Sequence, residues 1–266
     1  MAAHNSYDGL GLCEIPLKVL KPGPDFGRAI QQLVQGNPNA DRAWEAAAIA
    51  AASELQKRRD GLATIETLTD MTVDEACSEM VAYEQQLEEL QSRLEGGGAE
   101  LGQQFRWRDA WKPKVKCEQA DLDFERACVR FNVAAAQCFL AARAREKGPQ
   151  FGGLKQAVFH FQQAAAYLDG VHATVKAAIW GLRPRWDPAS LSPDMSLDVL
   201  VALRDLMLAQ AQRVFYDKAV SEGLKDGVTA KLASGAAAMF AGALKVLEKP
   251  EVSAHLNEEG GLFSKG

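Results

Sequence analysis

Nowhere in the 266 residues is there a run of the roughly 20 apolar side chains needed to cross a bilayer, although 47% of the chain is hydrophobic. The opening residues, MAAHNSYDGL, lack both the basic and the apolar regions of a secretory signal. These two absences lead to the expectation of a cytoplasmic chain that meets membranes only indirectly, through partners. No pair of cysteines has C-x-x-C spacing, and the odd set Cys13, Cys77, Cys117, Cys128 and Cys138 is expected as buried, reduced thiols. Excess basic charge is absent too. With 30 Lys and Arg against 35 Asp and Glu, the net charge of −5 argues against a nucleic-acid surface.

Catalytic signals are equally scarce. The four histidines, His4, His160, His172 and His255, are scattered, and no zinc-protease, nucleophile-elbow, P-loop or dinucleotide motif occurs. His160 and His172 share a predicted helix but stand about 18 Å apart along its axis, too far to hold one metal. The run GGGAELG lacks the Lys and the preceding strand of a phosphate loop and reads as a linker. No cofactor, metal or catalytic residue is expected, so the chain reads as non-catalytic. FRWRDAW (105–111) could stack single-stranded RNA. Aromatic anchors covered by arginine stems account for it better.

What is present is helix. Residues 12–19, with Pro16, read as a short extended or edge-strand segment, and everything beyond reads as helical. Asp25 opens a short helix that stops at Gly36, and a longer Ala-rich one runs from about Asp41 to Gly61. TVDE at 72–75 is a capping box that starts a third, ended by Gly96, Gly97 and Gly98. Beyond Pro113, the stretch near 121–146 repeats Phe124, Cys128, Phe131, Ala135 and Cys138 at helical spacing, and three further long runs follow. Small Ala-rich faces and short breaks predict an all-α, antiparallel helical array. No strict 34-residue repeat supports more than a stack.

The last two runs carry surplus apolar surface. At 100° per residue, Ala230, Ala233, Ala237 and Leu244 fall within about 40° of one line, and Leu224, Val228, Leu232 and Met239 lie roughly 150° to 230° away. On the preceding run Leu203, Met207 and Val214 form one stripe, with Leu208 and Phe215 roughly 80° to 140° off it. Phe215 is expected near Val228 across the turn. Two explanations are open: a middle helix of a solenoid buried on both sides, or a site for a partner's amphipathic helix.

The segments FERACVRFNVAA (124–135), LKQAVFHFQQAAAYLDGV (154–171), LSPDMSLDVLVALRDLMLAQAQRVFYDKAV (191–220) and LKDGVTAKLA (224–233) resemble the BRO domain of the ALIX family of ESCRT-associated adaptors. IPLK (15–18) and FRWRDAW match in the same order. The resemblance divides the chain into a flexible N-terminus (1–11), a BRO-like domain (12–250) and a flexible C-terminal tail (251–266). It implies a curved array with a tetratricopeptide-like core, whose concave face binds the C-terminal amphipathic helix of an ESCRT-III subunit in multivesicular body sorting. It also implies recruitment from the cytoplasm to endosomes. Phe215, Val228 and Leu232 carry the implied contact, with Leu224 and Lys155 as lesser members. A Rho-effector or pH-signalling scaffold is the alternative, because other proteins with this domain resemble the chain equally. Phe159 stands where a basic residue is familiar, and WKPKVKCE lacks the Gly-rich loop of ALIX. Family members also carry long helices beyond the matched region, so either a reduced or truncated form or an incomplete sequence is expected.

Overall fold

Ala-rich surfaces let helix backbones approach closely, and the computed structural model of the chain is built on that principle. It describes residues 13–35, 42–65, 67–69, 72–94 and 101–256. The helices are α1 (Phe26–Gln35), α2 (Arg42–Leu62), α3 (Val73–Arg93), α4 (Leu122–Glu146), α5 (Gly153–Trp180), α6 (Leu197–Ser221), α7 (Asp226–Leu247) and α8 (Pro250–Leu256). Helices α3 to α7 pack each on the next. The expected flexible N-terminus (1–11) and the GGG linker, like the last ten residues, lie outside the described residues.

Strands were expected only before residue 20, and this needs correcting. β1 (Val19–Leu20), β2 (Phe105–Arg108) and β3 (Lys116–Gln119) form an antiparallel sheet in that order, pairing Leu20 with Trp107 and Trp107 with Cys117. FRWR alternates buried Phe105 and Trp107 with the more open Arg106 and Arg108, a period of two that spans too few residues to register against long helices. Its aromatics are anchors. Trp107 donates to Glu125 at 2.6 Å.

The core runs along α4, where Phe124, Cys128, Phe131, Ala135 and Cys138 are all buried. Asp121 caps this helix by accepting from the Asp123 N–H at 2.8 Å. The box expected at Thr72 does not form. Thr72 is the N-cap residue, but its backbone is helical and its hydroxyl oxygen accepts from the Thr69 N–H instead.

Two buried ion pairs join segments distant in sequence, one of them directly on α4. Lys18 Nζ meets Asp194 at 2.5 Å with both side chains fully buried, and the Asn132 amide brackets the Lys18 backbone. Burial alone would favour the neutral amine. Asp194, with Asp109 further off, outweighs it and raises the Lys18 pKa. Glu125 accepts from Arg59 Nε (2.9 Å), the Tyr83 hydroxyl (3.0 Å) and Trp107, so α2, α3 and β2 converge on one carboxylate.

The C-terminal end also differs from expectation. A tail was read from residue 251, yet Pro250 opens α8, Val252 and Ser253 donate to the Lys249 carbonyl, and Val252 is buried. Proline at the first helical position is pre-set for helix, which the reading of this segment passed over. Helix α7 amends a second expectation. It has the length and composition of a membrane-crossing helix, with mean hydropathy 1.3 over its most apolar 18 residues, of which 17% are buried. Its many Ala residues raise the hydropathy without a long run of larger apolar side chains, and Asp226, Lys231 and Lys245 punctuate it.

Candidate partner-binding face

The site is assembled from three consecutive antiparallel helices. On α6, Leu203, Met207 and Val214 are fully buried and face the stack, whereas Phe215 is 40% exposed. The chain then turns at Gly223, whose φ of +65° favours glycine, and the Leu224 N–H returns to the Ala219 carbonyl at 3.0 Å. Leu224 and Val228 remain exposed, and Leu232 is half-buried.

Two contacts fix the register across the face. A Cβ placed on Gly235 would lie 3.2 Å from Gln212 Nε2, so these residues are level on α7 and α6. Three residues toward the turn on each helix, about 4.5 Å, reach Leu232 and Phe215. Phe215 is therefore level with Leu232, and Val228 lies one turn closer to the loop. The residue expected beside Phe215 was Val228; the difference is one helical turn.

On the other flank, Arg204 of α6 pairs with Asp169 of α5 at 3.1 Å. Eleven residues from each, in opposite chain directions, lead to Phe215 and Val158, so Phe215 is level with the Val158–Phe159 turn of α5. Eleven residues are about three helical turns, which puts Arg204 and Phe215 on nearly the same stripe. Lys155, Gln162 and Asp169 recur every seven residues on α5, drifting about 20° per step, and all three are exposed. Lys155 thus belongs to the solvent stripe on the same side as Phe215.

The five residues singled out from sequence occupy neighbouring levels of one side of α5, α6 and α7. Lys155 and Lys231 are exposed there and make no ion pair with the described residues. The opposite flank of α6 is polar, with Asp217 held by Arg145 at 2.9 Å and by Arg213. The Ala230, Ala233, Ala237 and Leu244 face of α7 is exposed, while Ala236, Ala243 and Leu247 pack inward. Sequence reasoning noted Phe159 only as standing where a basic residue is familiar and did not count it among the apolar contacts, yet it is 55% exposed. Its ring meets His160 edge-on at 5.3 Å. His160 Nδ1 lies 2.7 Å from Gln137 Oε1, and burial, reinforced by Lys147 against the pull of Asp74, lowers the imidazole pKa.

Elsewhere, a 700 Å³ cleft between α2 and α3 is lined by side chains of both signs, including Arg58, Glu75 and Glu79. Among the described residues no cluster of His, Cys, Asp or Glu could hold a metal ion.

The sequence matches the BRO1-like domain over residues 12–264. It is 36% identical over 149 residues to human programmed cell death 6-interacting protein, covering 53% of this chain and 16% of that protein. It is 33% identical over 168 residues to the Neurospora crassa vacuolar protein-sorting protein bro-1, covering 63% of this chain and 15% of that one. Among solved structures, ALIX BRO1 in complex with CHMP4C aligns with a TM-score of 0.74 and 27% identity, over 91% of this chain and 65% of that chain. The chain therefore spans a small part of these curated relatives and less than two thirds of the solved domain.

Proposed function

Because the chain belongs to the BRO1-like domain family, we propose that it is a protein-interaction module that captures the C-terminal amphipathic helix of an ESCRT-III subunit. It would act from the cytoplasm at endosomes, in sorting and multivesicular body formation. The observation that carries this reading is the exposed apolar row of Phe215, Val228 and Leu224, with Leu232 half-buried among them, Phe215 standing off the buried stripe of α6. A solved relative bound to CHMP4C supports it.

Chemistry sets the partner's character. Covering a Phe or Leu contributes about 1.5 to 3 kcal/mol, so three or four such anchors reach the roughly −8 kcal/mol of micromolar binding after ordering costs. Lys155 and Lys231 beside the row favour acidic residues flanking the partner's apolar stripe. Fluorescence anisotropy with a labelled CHMP4C C-terminal peptide tests the assignment. Micromolar binding by the wild type and its loss in Leu232→Asp are expected; equal affinity for both proteins defeats it.

A further inference from the structure

We infer that Phe159 is a further apolar anchor of this face, carrying the contact from α6 and α7 onto α5 and making the partner's recognition depend on apolar fit there rather than on charge. The inference rests on the helix-capturing reading above. Three observations support it. Phe159 is more exposed than Phe215, at 55% against 40%. The Asp169–Arg204 pair puts it level with Phe215, which the Gln212–Gly235 contact in turn makes level with Leu232. One level of three adjacent helices therefore presents Phe159, Phe215 and Leu232.

The direction of the side chain agrees with the level. Phe159 is four residues beyond Lys155, about 40° round the helix, and so shares the solvent stripe of Lys155, Gln162 and Asp169. Neighbouring helix axes are about 8 to 10 Å apart, so α5 to α7 spans about 16 to 20 Å, the length of roughly three to four turns of one helix lying across the face. The occupant is an amphipathic helix with a broad apolar stripe that meets α5 as well as the α6–α7 seam. Its acidic flank falls to Lys155 and Lys231, one turn or less from the apolar level. Phe159 itself offers no charge, so the ion-pair share of binding is confined to those lysines.

The two contributions separate by salt, because screening weakens exposed charge pairs and leaves apolar burial intact. The experiment measures binding of a labelled CHMP4C C-terminal peptide to the whole chain at about 50 mM and about 500 mM NaCl, which spans a severalfold change in screening. Wild type, Phe159→Ala, Phe159→Leu, Lys155→Ala and Leu232→Asp are compared, with circular dichroism and thermal unfolding for each. Phe159→Ala is expected to weaken binding about tenfold at both salt concentrations. Phe159→Leu is expected to stay within about twofold of wild type, and Lys155→Ala to weaken binding only at low salt. Unchanged affinity in Phe159→Ala, with Leu232→Asp inactive, overturns the anchor and leaves the helix-capturing reading standing. A Phe159→Ala loss confined to low salt also overturns it. A wild type that does not bind the peptide overturns both.

Discussion

Val214 and Phe215 are adjacent in sequence and opposed in the fold: Val214 has no exposed surface, whereas Phe215 leaves 40% of its surface open. The 100° between consecutive helical residues turns one toward the stack and the other toward solvent.

Truncating the two should separate stability from binding. Val214→Ala removes fully packed methyl groups and is expected to cost about 1 to 3 kcal/mol in urea unfolding. Phe215→Ala should change stability by less than about 1 kcal/mol while weakening peptide binding at least tenfold. A Phe215→Ala protein as destabilised as Val214→Ala would mean that this ring belongs to the core.

The Lys18–Asp194 pair is sealed from solvent on both sides, so removing one partner strands the other. Lys18→Met is expected to cost about 3 to 5 kcal/mol, since Asp194 retains only Ser192 Oγ and the Ala110 N–H to balance its charge. Replacing both residues, Lys18→Met with Asp194→Leu, should recover part of that loss. Chemical denaturation of the three proteins gives the comparison, and a single variant as stable as wild type contradicts a buried ion pair.

His160 sets a pH dependence whose sign follows from its lowered pKa. Burial holds the ring neutral in the folded state below the ordinary value near 6.5. Its contribution to stability is therefore full above pH 6.5 and declines as pH falls from there through the lowered folded value, because the unfolded chain takes up the proton first. An NMR titration of the imidazole should show a midpoint below 6.5. A midpoint at or above that value would contradict the assignment.

Thiol chemistry offers an independent check of the core. Burial pushes the Cys138 thiol up to about 12 and the Cys128 thiol well above its ordinary range. Neither should react with a disulfide reagent at pH 7.5 in the native protein, and both should react on unfolding in guanidinium. Cys13, half-buried with a raised pKa, is expected to react slowly if at all. Rapid native labelling of Cys138 would show that the α4 interior opens.

Local signals in the chain marked the long helices. Apolar spacing in α4, the stop at Gly61 and the small-residue faces suffice, because a helix is written into neighbours three and four residues apart. The sheet was not legible. β2 and β3 are four residues each, and only pairing with one another and with β1 makes them strands. The Thr72 box and the start of the tail at 251 failed for a related reason: a local pattern competed with contacts it could not see, Thr69 in one case and the packing of Val252 in the other.

By itself, then, the sequence determined that Phe215 stands off the buried stripe of its helix, since angular position depends on residue count alone. Tertiary structure decided that Leu232, rather than Val228, stands level with it, and that Phe159 arrives at the same level from α5. Register between helices is set by contacts such as Asp169 with Arg204 and Gln212 with Gly235. Those contacts join residues more than twenty positions apart, and no local periodicity encodes them.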